Sequence, residues 1–174
     1  MAVVKAFKAF RPVQNLASKI AALPYDVMNS EEAREMVKEN EYSFLHVDRA
    51  EVNLPEEVNI YDKVVYEKAR AVLDNMIDQG LYIEEEKPCM YLYKQTMNGK
   101  SQTGLVVCTA IDDYLNNKIK KHEYTRKDKE LDRINHVDYC DANTGPIFLT
   151  YKNVNEITEI MNKWIENEPL YDFI

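Results

Sequence analysis

Met90-Tyr91-Leu92-Tyr93-Lys94-Gln95-Thr96-Met97-Asn98-Gly99 is the stretch whose reading decides the fold. Residues 90–97 are rich in aromatic and other strand-forming side chains, and they run straight into Asn-Gly. That dipeptide is favoured in a two-residue type I′ turn, where both central positions need positive φ. Residues 101–111 return with Val106, Val107, Thr109 and Ile111. The stretch predicts an antiparallel hairpin, 90–97 against 101–111, with Gly104 marking a bulge in the return strand.

Upstream the period changes. Over residues 61–79, Tyr61, Val64, Val65, Ala69, Val72, Leu73, Met76 and Ile77 recur at helical spacing, and Gly80 stands where a left-handed C-cap is expected. Asn29 and Ser30, with Glu32 three residues after Asn29, form a variant capping box. The helix it opens runs to about residue 39 and presents Ala33, Met36 and Val37. Residues 15–22 are a short helix with Leu16, Ile20 and Leu23 as its stripe, and Pro24 ends it. Pro24-Tyr25-Asp26 follows as a turn with an aromatic anchor. Residues 42–47 read as a short strand or extended loop, where His46 and Asp48 make a local contact. Residues 51–59 read as a polar linker around Pro55, and 81–83 as extended.

Downstream, 112–117 is a helical turn. Thr125, with Asp128 three residues on, caps a helix running to about Cys140. Residues 144–146 turn, and 147–151 read as a short buried strand. Residues 153–166 form a last helix with Ile157, Ile160, Met161, Trp164 and Ile165 on one face. The fold class is therefore α+β: a hairpin-containing antiparallel sheet with several packed helices. No internal repeat or low-complexity segment interrupts it. The expected organisation is a single domain over 1–174. The apolar ending Leu170-Tyr171-Asp172-Phe173-Ile174 suggests the N-terminal portion of a longer chain, because termini usually fray.

The 174 residues are 45% apolar, enough for a core. The net charge of -8 disfavours nucleic acid and anionic membranes as partners. No apolar run reaches the ~18 residues of a membrane span, and the N-terminus has no secretory pattern. Cys89, Cys108 and Cys140 are odd in number and lack a CxxC pair. They read as small buried residues and reduced thiols of a cytoplasmic protein, with no intrachain disulfide expected.

One polar stretch stands apart. Residues 118–133 hold seven Lys/Arg against four acids, a balance of +3, which leaves -11 for the rest of the chain. A basic island in an acidic protein invites an anionic ligand, usually phosphate. On a helix, Arg126, Lys129, Arg133 and His136 phase onto one side as a phosphate clamp, with Glu130 orienting an arginine and Leu131 and Ile134 buried on the other. His122 and Glu123 directly precede this helix, and general acid–base work favours such a pair near cations. Asn143 and Thr144 lie in the polar loop that follows it, and the two loops suggest a pocket rim. The competing reading is a solvated face of ordinary i,i+3 and i,i+4 pairs. No metal site is expected, because the His136–Cys140 pair, with Asp138 and Asp141 nearby, lacks the further ligands zinc needs. With only four glycines, a glycine-rich phosphate loop is excluded.

Several segments carry a family resemblance. Phe10-Arg11-Pro12, Pro24-Tyr25-Asp26-Val27 and Ser43-Phe44-Leu45-His46-Val47 form one set. Tyr93-Lys94-Gln95 and Gln102-Thr103-Gly104 fall in the hairpin. Lys120-Lys121-His122-Glu123, Thr125-Arg126, Lys129-Glu130, Asp132-Arg133 and Asn143-Thr144-Gly145-Pro146 are the most distinctive. Together they resemble a bacterial and archaeal family of uncharacterised conserved proteins, the domain-of-unknown-function family numbered one thousand and fifteen. The resemblance implies a chain about twice this length. Its second half would carry an Asp-Gly-His-His-Arg motif similar to that of free-serine kinases, which are related to the ParB and sulfiredoxin fold. On that analogy the full protein is a small-molecule phosphotransferase using a nucleotide such as ADP or ATP with Mg. Glu123 or His122 would handle a hydroxyl proton, and the basic face would hold phosphates. The alternatives are a non-catalytic nucleotide-binding regulatory module and, against the charge, a DNA-binding ParB-like protein. Substrate and oligomeric state are not written in these residues.

Overall fold

The computed structural model describes residues 2–122 and 124–174. It is an α+β protein in which the described residues form seven α-helices and three two-stranded antiparallel sheets. The chain divides into two compact units. One holds residues 1–10, 84–124 and 147–172; the other holds 11–83, 125–146 and 173–174. Strands β2 (Phe10–Pro12) and β3 (Tyr82–Glu84) pair with each other, and the division falls within both.

In the first unit, β1 (Val4–Lys5) pairs with β6 (Cys108–Thr109). The hairpin forms as expected: β4 (Tyr91–Met97) and β5 (Lys100–Val106) pair from Tyr91↔Val106 to Met97↔Lys100. Asn98 (φ 52°) and Gly99 (φ 74°) supply the two positive φ values of the turn. Three details differ from the sequence reading. Tyr93 pairs with Gly104 in unbroken register, so no bulge sits there. The return strand ends at Val106; Cys108 and Thr109 turn to β1, and Ile111 opens α5 (Ile111–Leu115). Residues 147–151 are not a buried strand. They form no strand, and Ile147 is 78% exposed, because no partner strand takes up their backbone. The last helix, α7 (Asn155–Ile165), forms with Ile160, Trp164 and Ile165 exposed.

The second unit holds all the buried hydrophobic residues found among those described. Its axis is α4 (Lys63–Asp78), which turns Val65, Tyr66, Ala69, Leu73 and Met76 inward. Gly80 (φ 72°) ends it in a Schellman motif: its N–H donates to Ile77 O at 2.9 Å, and that of Leu81 to Met76 O at 3.1 Å. Against α4 pack Ile20 of α1 (Ala17–Ile20), Val47 of α3 (Leu45–Asp48), Ala50 and Leu81. α2 (Ser30–Val37) carries the full capping box: Glu32 N–H donates to Asn29 Oδ1 at 2.9 Å, and Asn29 N–H to Glu32 Oε2 at 2.8 Å. Its inner face is Ala33 and Val37, with Met36 exposed.

Residues 42–47 are not extended. Ser43 N–H donates to Asn40 O, Phe44 N–H to Ile20 O, and the chain enters α3. His46 does not meet Asp48; its ring nitrogens lie 2.7 Å from Asn53 Oδ1 and 3.1 Å from Asn40 O. Residues 50–53 are a 3-10 turn rather than open linker, and Glu51 is buried within it.

Candidate functional site

The helix expected to carry the site is α6 (Lys127–Cys140), in the second unit. Arg126, not Thr125, occupies its N-cap, and its side chain makes no cap hydrogen bond. Asp141 (φ 50°) ends the helix in the left-handed region.

The helix is phased opposite to expectation. Leu131 and Ile134 are 58% and 57% exposed, while Asp132, His136 and Cys140 face the core at i, i+4, i+8. A buried polar row survives only where partners meet it, and here they do. The Tyr66 hydroxyl of α4 donates to Asp132 Oδ1 at 3.0 Å. Arg70 of α4 donates to the Cys140 carbonyl at 2.9 Å. His136 Nε2 lies 3.5 Å from Asp48 Oδ1 of α3 and 3.8 Å from Cys140 Sγ. The first distance suits an electrostatic contact rather than a hydrogen bond. Burial pushes the Tyr66 hydroxyl up to about 12, with the Asp132 carboxylate adding to the shift. Burial likewise raises the Cys140 thiol to about 11.

The expected clamp divides along this row. His136, 3% exposed, belongs to the interior and does not reach a solvent-facing ligand. Arg126 is fully outward and holds Asp128 with Nε–Oδ1 3.1 Å and Nη2–Oδ2 2.7 Å, which keeps the Asp128 carboxyl below its ordinary value. Lys129 and Arg133, one turn apart, line the half-buried margin between them. Arg133 is braced by Asp132 (Nη2–Oδ2 2.8 Å, Nε–Oδ2 3.0 Å), and its guanidinium lies 4.0 Å from the centre of the Tyr25 ring. Lys129 donates to the Tyr61 hydroxyl at 3.0 Å and lies 5.5 Å from that ring's centre. That hydrogen bond raises the ammonium's pKa above its ordinary value. Glu130 is exposed, and the arginines are oriented by Asp128 and Asp132 instead.

Tyr25 is itself held. Arg49 donates through Nη1 to the Tyr25 carbonyl at 3.3 Å and through Nη2 to Ser30 Oγ at 3.0 Å. Its Nε sits 3.0 Å from Glu51 Oε1, an ion pair off the hydrogen-bond line. Ser30 Oγ donates to the same Glu51 oxygen at 3.0 Å, and Arg34 Nη2 donates to the Glu51 carbonyl at 2.7 Å. A continuous set of polar contacts thus runs from Glu51 through Arg49 to Tyr25, and from Tyr25 through Arg133 and Asp132 to Tyr66.

Of the remaining candidates, two lie in this unit. Asn143 (exposed) and Thr144 (half-buried) follow the C-terminus of α6. Fourteen helical residues separate that end from Arg126, roughly 20 Å of axis at 1.5 Å per residue. His122 is exposed and belongs to the first unit. Glu123 lies outside the described residues. Two surface recesses lie elsewhere, one at Glu35, Met36 and Asn40, the other at Tyr42, His46, Asn53 and Asn75, and no α6 side chain lines either. No group of three or more metal-ligating side chains occurs among the described residues, and no helix there is long and apolar enough to cross a membrane.

Sequence reasoning missed Tyr25 and Tyr61 as site residues, and Asp132 and Tyr66 as the brace behind Arg133. The only signals were the aromatic in the Pro24-Tyr25-Asp26 turn and the Asp132-Arg133 adjacency. No curated protein and no solved structure shows a significant match to the chain. The family described as "Protein of unknown function (DUF1015)" matches residues 4–174, and the chain belongs to that family.

Proposed function

We propose that the second unit binds a small phosphate-bearing ligand, a nucleotide by preference, along the Lys129–Arg133 margin of α6. The observation that carries this reading is the pair of cations one turn apart, Arg133 on the Tyr25 ring and Lys129 held by the Tyr61 hydroxyl, with Arg133 pre-oriented by a buried carboxylate. Cations in fixed geometry suit phosphate oxygens, and tyrosine faces suit a planar base. Arg126 adds a third positive charge at the helix start by exchanging Asp128 for ligand oxygens. His122, Glu123, Asn143 and Thr144 enter as candidates for the reaction and for support, on the strength of their places before and after the charged helix in the sequence and of the family resemblance.

On the same resemblance we read this chain as the N-terminal part of a longer protein, and its three separated cysteines favour a cytoplasmic setting. On that reading the complete protein is a phosphotransferase similar to free-serine kinases, with a ParB/sulfiredoxin-like relationship and Mg-nucleotide as cosubstrate. A non-catalytic nucleotide-binding module is the second reading. It is favoured by His136, which is turned into the core and so adds no imidazole to the cationic margin. A thermal-shift panel on the chain and its full-length parent separates these. Stabilisation by Mg-ATP or Mg-ADP with phosphoryl transfer to an amino-acid hydroxyl supports the kinase. The same stabilisation without turnover supports the module. Salt-sensitive retention of DNA without a nucleotide effect overturns both.

A further inference from the structure

Residues 87–111 contain Lys87, Lys94 and Lys100 and no acidic residue, whereas Glu84-Glu85-Glu86 stand immediately before them. The β4–β5 arm is therefore basic toward its tip and acidic at its base. Residues 93–102 are all exposed, and the arm is a sheet of two strands. A bare two-stranded hairpin is marginal in water, and a further strand stabilises it.

One edge of β4 is open to such a strand. The two-residue turn makes Met97 and Lys100 a hydrogen-bonded pair, so at alternate positions Gln95, Tyr93 and Tyr91 also bond to β5. Cys89 keeps that alternation and bonds to Phe7 at 2.8 and 3.0 Å. The backbone groups of Met90, Leu92, Lys94 and Thr96 then point to the other side. Thr96 Oγ1 lies 2.8 Å from Ser101 Oγ, the close side-chain approach of a pair that exchanges no backbone bonds. Among the described residues, no backbone hydrogen bond from outside the ladder reaches these four.

We propose that this edge is a self-association surface, on which a second copy of the chain lays the same edge antiparallel about a two-fold axis. Charge selects that occupant. Setting Lys94 of one copy against Glu86 of the other puts the axis at Met90, midway between them. The same register opposes Thr96 to Glu84, Gln95 to Glu85 and Tyr93 to Lys87. No like charges face each other, and the symmetry forms both Lys94–Glu86 pairs at once. Met90, 47% exposed, meets its own copy on the axis. Pro88 faces Leu92 and has no N–H to give, which an edge position tolerates. The chain bends at Glu86 and Lys87, so the main-chain bonds gather around Met90 and the charges meet through side chains. The β5 edge offers no such match, because no acid follows Lys100 before Asp112. The contact is small, so the dimer dissociates readily.

The test is sedimentation equilibrium of the whole chain from micromolar to submillimolar concentration, with amide exchange read by NMR. The expected result is a monomer–dimer equilibrium. The Met90 and Leu92 amides should exchange freely in the monomer and slow as the dimer forms, while that of Tyr93 is protected in both. Met90→Pro removes the N–H on the axis and leaves the β4–β5 bonds intact; it should raise the dimer dissociation constant roughly tenfold or more. Ser101→Pro, the same block on the β5 edge, should leave it unchanged. Lys94→Glu should weaken the dimer about tenfold, since it replaces two attractions by two repulsions. Adding Glu86→Lys to Lys94→Glu should restore it. A monomer at every concentration, a dimer indifferent to Met90→Pro, or a double variant no tighter than Lys94→Glu would each overturn the proposal. So would protection of the Met90 and Leu92 amides in the monomer, which would mean that another segment of the chain covers the edge.

Discussion

Replacing Tyr66 by Phe deletes one oxygen and tests the phase of α6. Tyr66 is buried, and its hydroxyl is the α4 donor to the buried Asp132 carboxylate at 3.0 Å. A hydrogen bond to a charged group contributes about 1.5–3 kcal/mol, and the substitution leaves the buried Oδ1 without its Tyr66 donor. We expect Tyr66→Phe to destabilise the second unit by about 2 kcal/mol. Asp132→Asn keeps an acceptor for Tyr66 but removes the partner of Arg133. It should cost about 1–2 kcal/mol, between an exposed pair and a fully buried one. Leu131→Ser and Ile134→Ser, on the exposed face, should stay within about 0.5 kcal/mol of the native chain. The assay is urea unfolding followed by far-UV circular dichroism. Tryptophan fluorescence does not serve, because the sole tryptophan, Trp164, belongs to the first unit. The reverse pattern, with Leu131→Ser costing more than 2 kcal/mol and Tyr66→Phe almost nothing, would mean that α6 docks by its apolar side and that the site geometry is wrong.

Other outcomes follow from single features. Gly80→Ala should cost about 1–2 kcal/mol in the same unfolding assay, since a Cβ there meets open space but must adopt φ 72°. The Cys140 thiol is raised from 9.0 to about 11 on folding, so its proton is held more tightly in the native state. Its contribution is complete below pH 9 and is lost as pH rises through 11, about 2–3 kcal/mol in all, and Cys140→Ala should flatten that alkaline limb. Asp113 is held below its ordinary value first by the Lys118 ammonium and then by the Val3 N–H at 2.6 Å. Its contribution is present above the ordinary carboxylate pKa of 3.8 and is lost as pH falls through the depressed value. Amide exchange in β1 should therefore accelerate on that acid limb, and much less so in Asp113→Asn, where the titrating group is absent.

Local signals were legible, and distant ones were not. The Asn29–Glu32 box, the Gly80 cap and the Asn98-Gly99 turn each close within a few residues, so their chemistry is visible in the string itself. Residues 42–47 misread because their helical turn is set by the Ile20 carbonyl, more than twenty residues away. Residues 147–151 have strand-forming composition, but a strand also needs a neighbour. The phase of α6 was the costliest miss. Periodicity says that Leu131 and Ile134 share a face, and burial follows only if nothing better fills the interior. Here Tyr66, Arg70 and Asp48 offer partners to the polar row, and no spacing rule announces them. The basic island pointed to Lys129 and Arg133 but not to the tyrosines beneath them, which come from two other parts of the chain.

Isothermal titration of Mg-ATP into the native chain and into Lys129→Ala tests the central claim most directly. Lys129 is the right probe, because Arg133→Ala also strips the buried Asp132 of its cation and so confounds affinity with stability. Lys63→Ala, which removes only an exposed pair with Glu67, is the control. The account predicts saturable binding to the native chain and to Lys63→Ala, weakening with salt. It predicts affinity at least tenfold lower in Lys129→Ala, the loss of one charge-assisted contact, with an unchanged melting curve. Equal affinity in the native chain and Lys129→Ala, or no heat of binding in either, would contradict it.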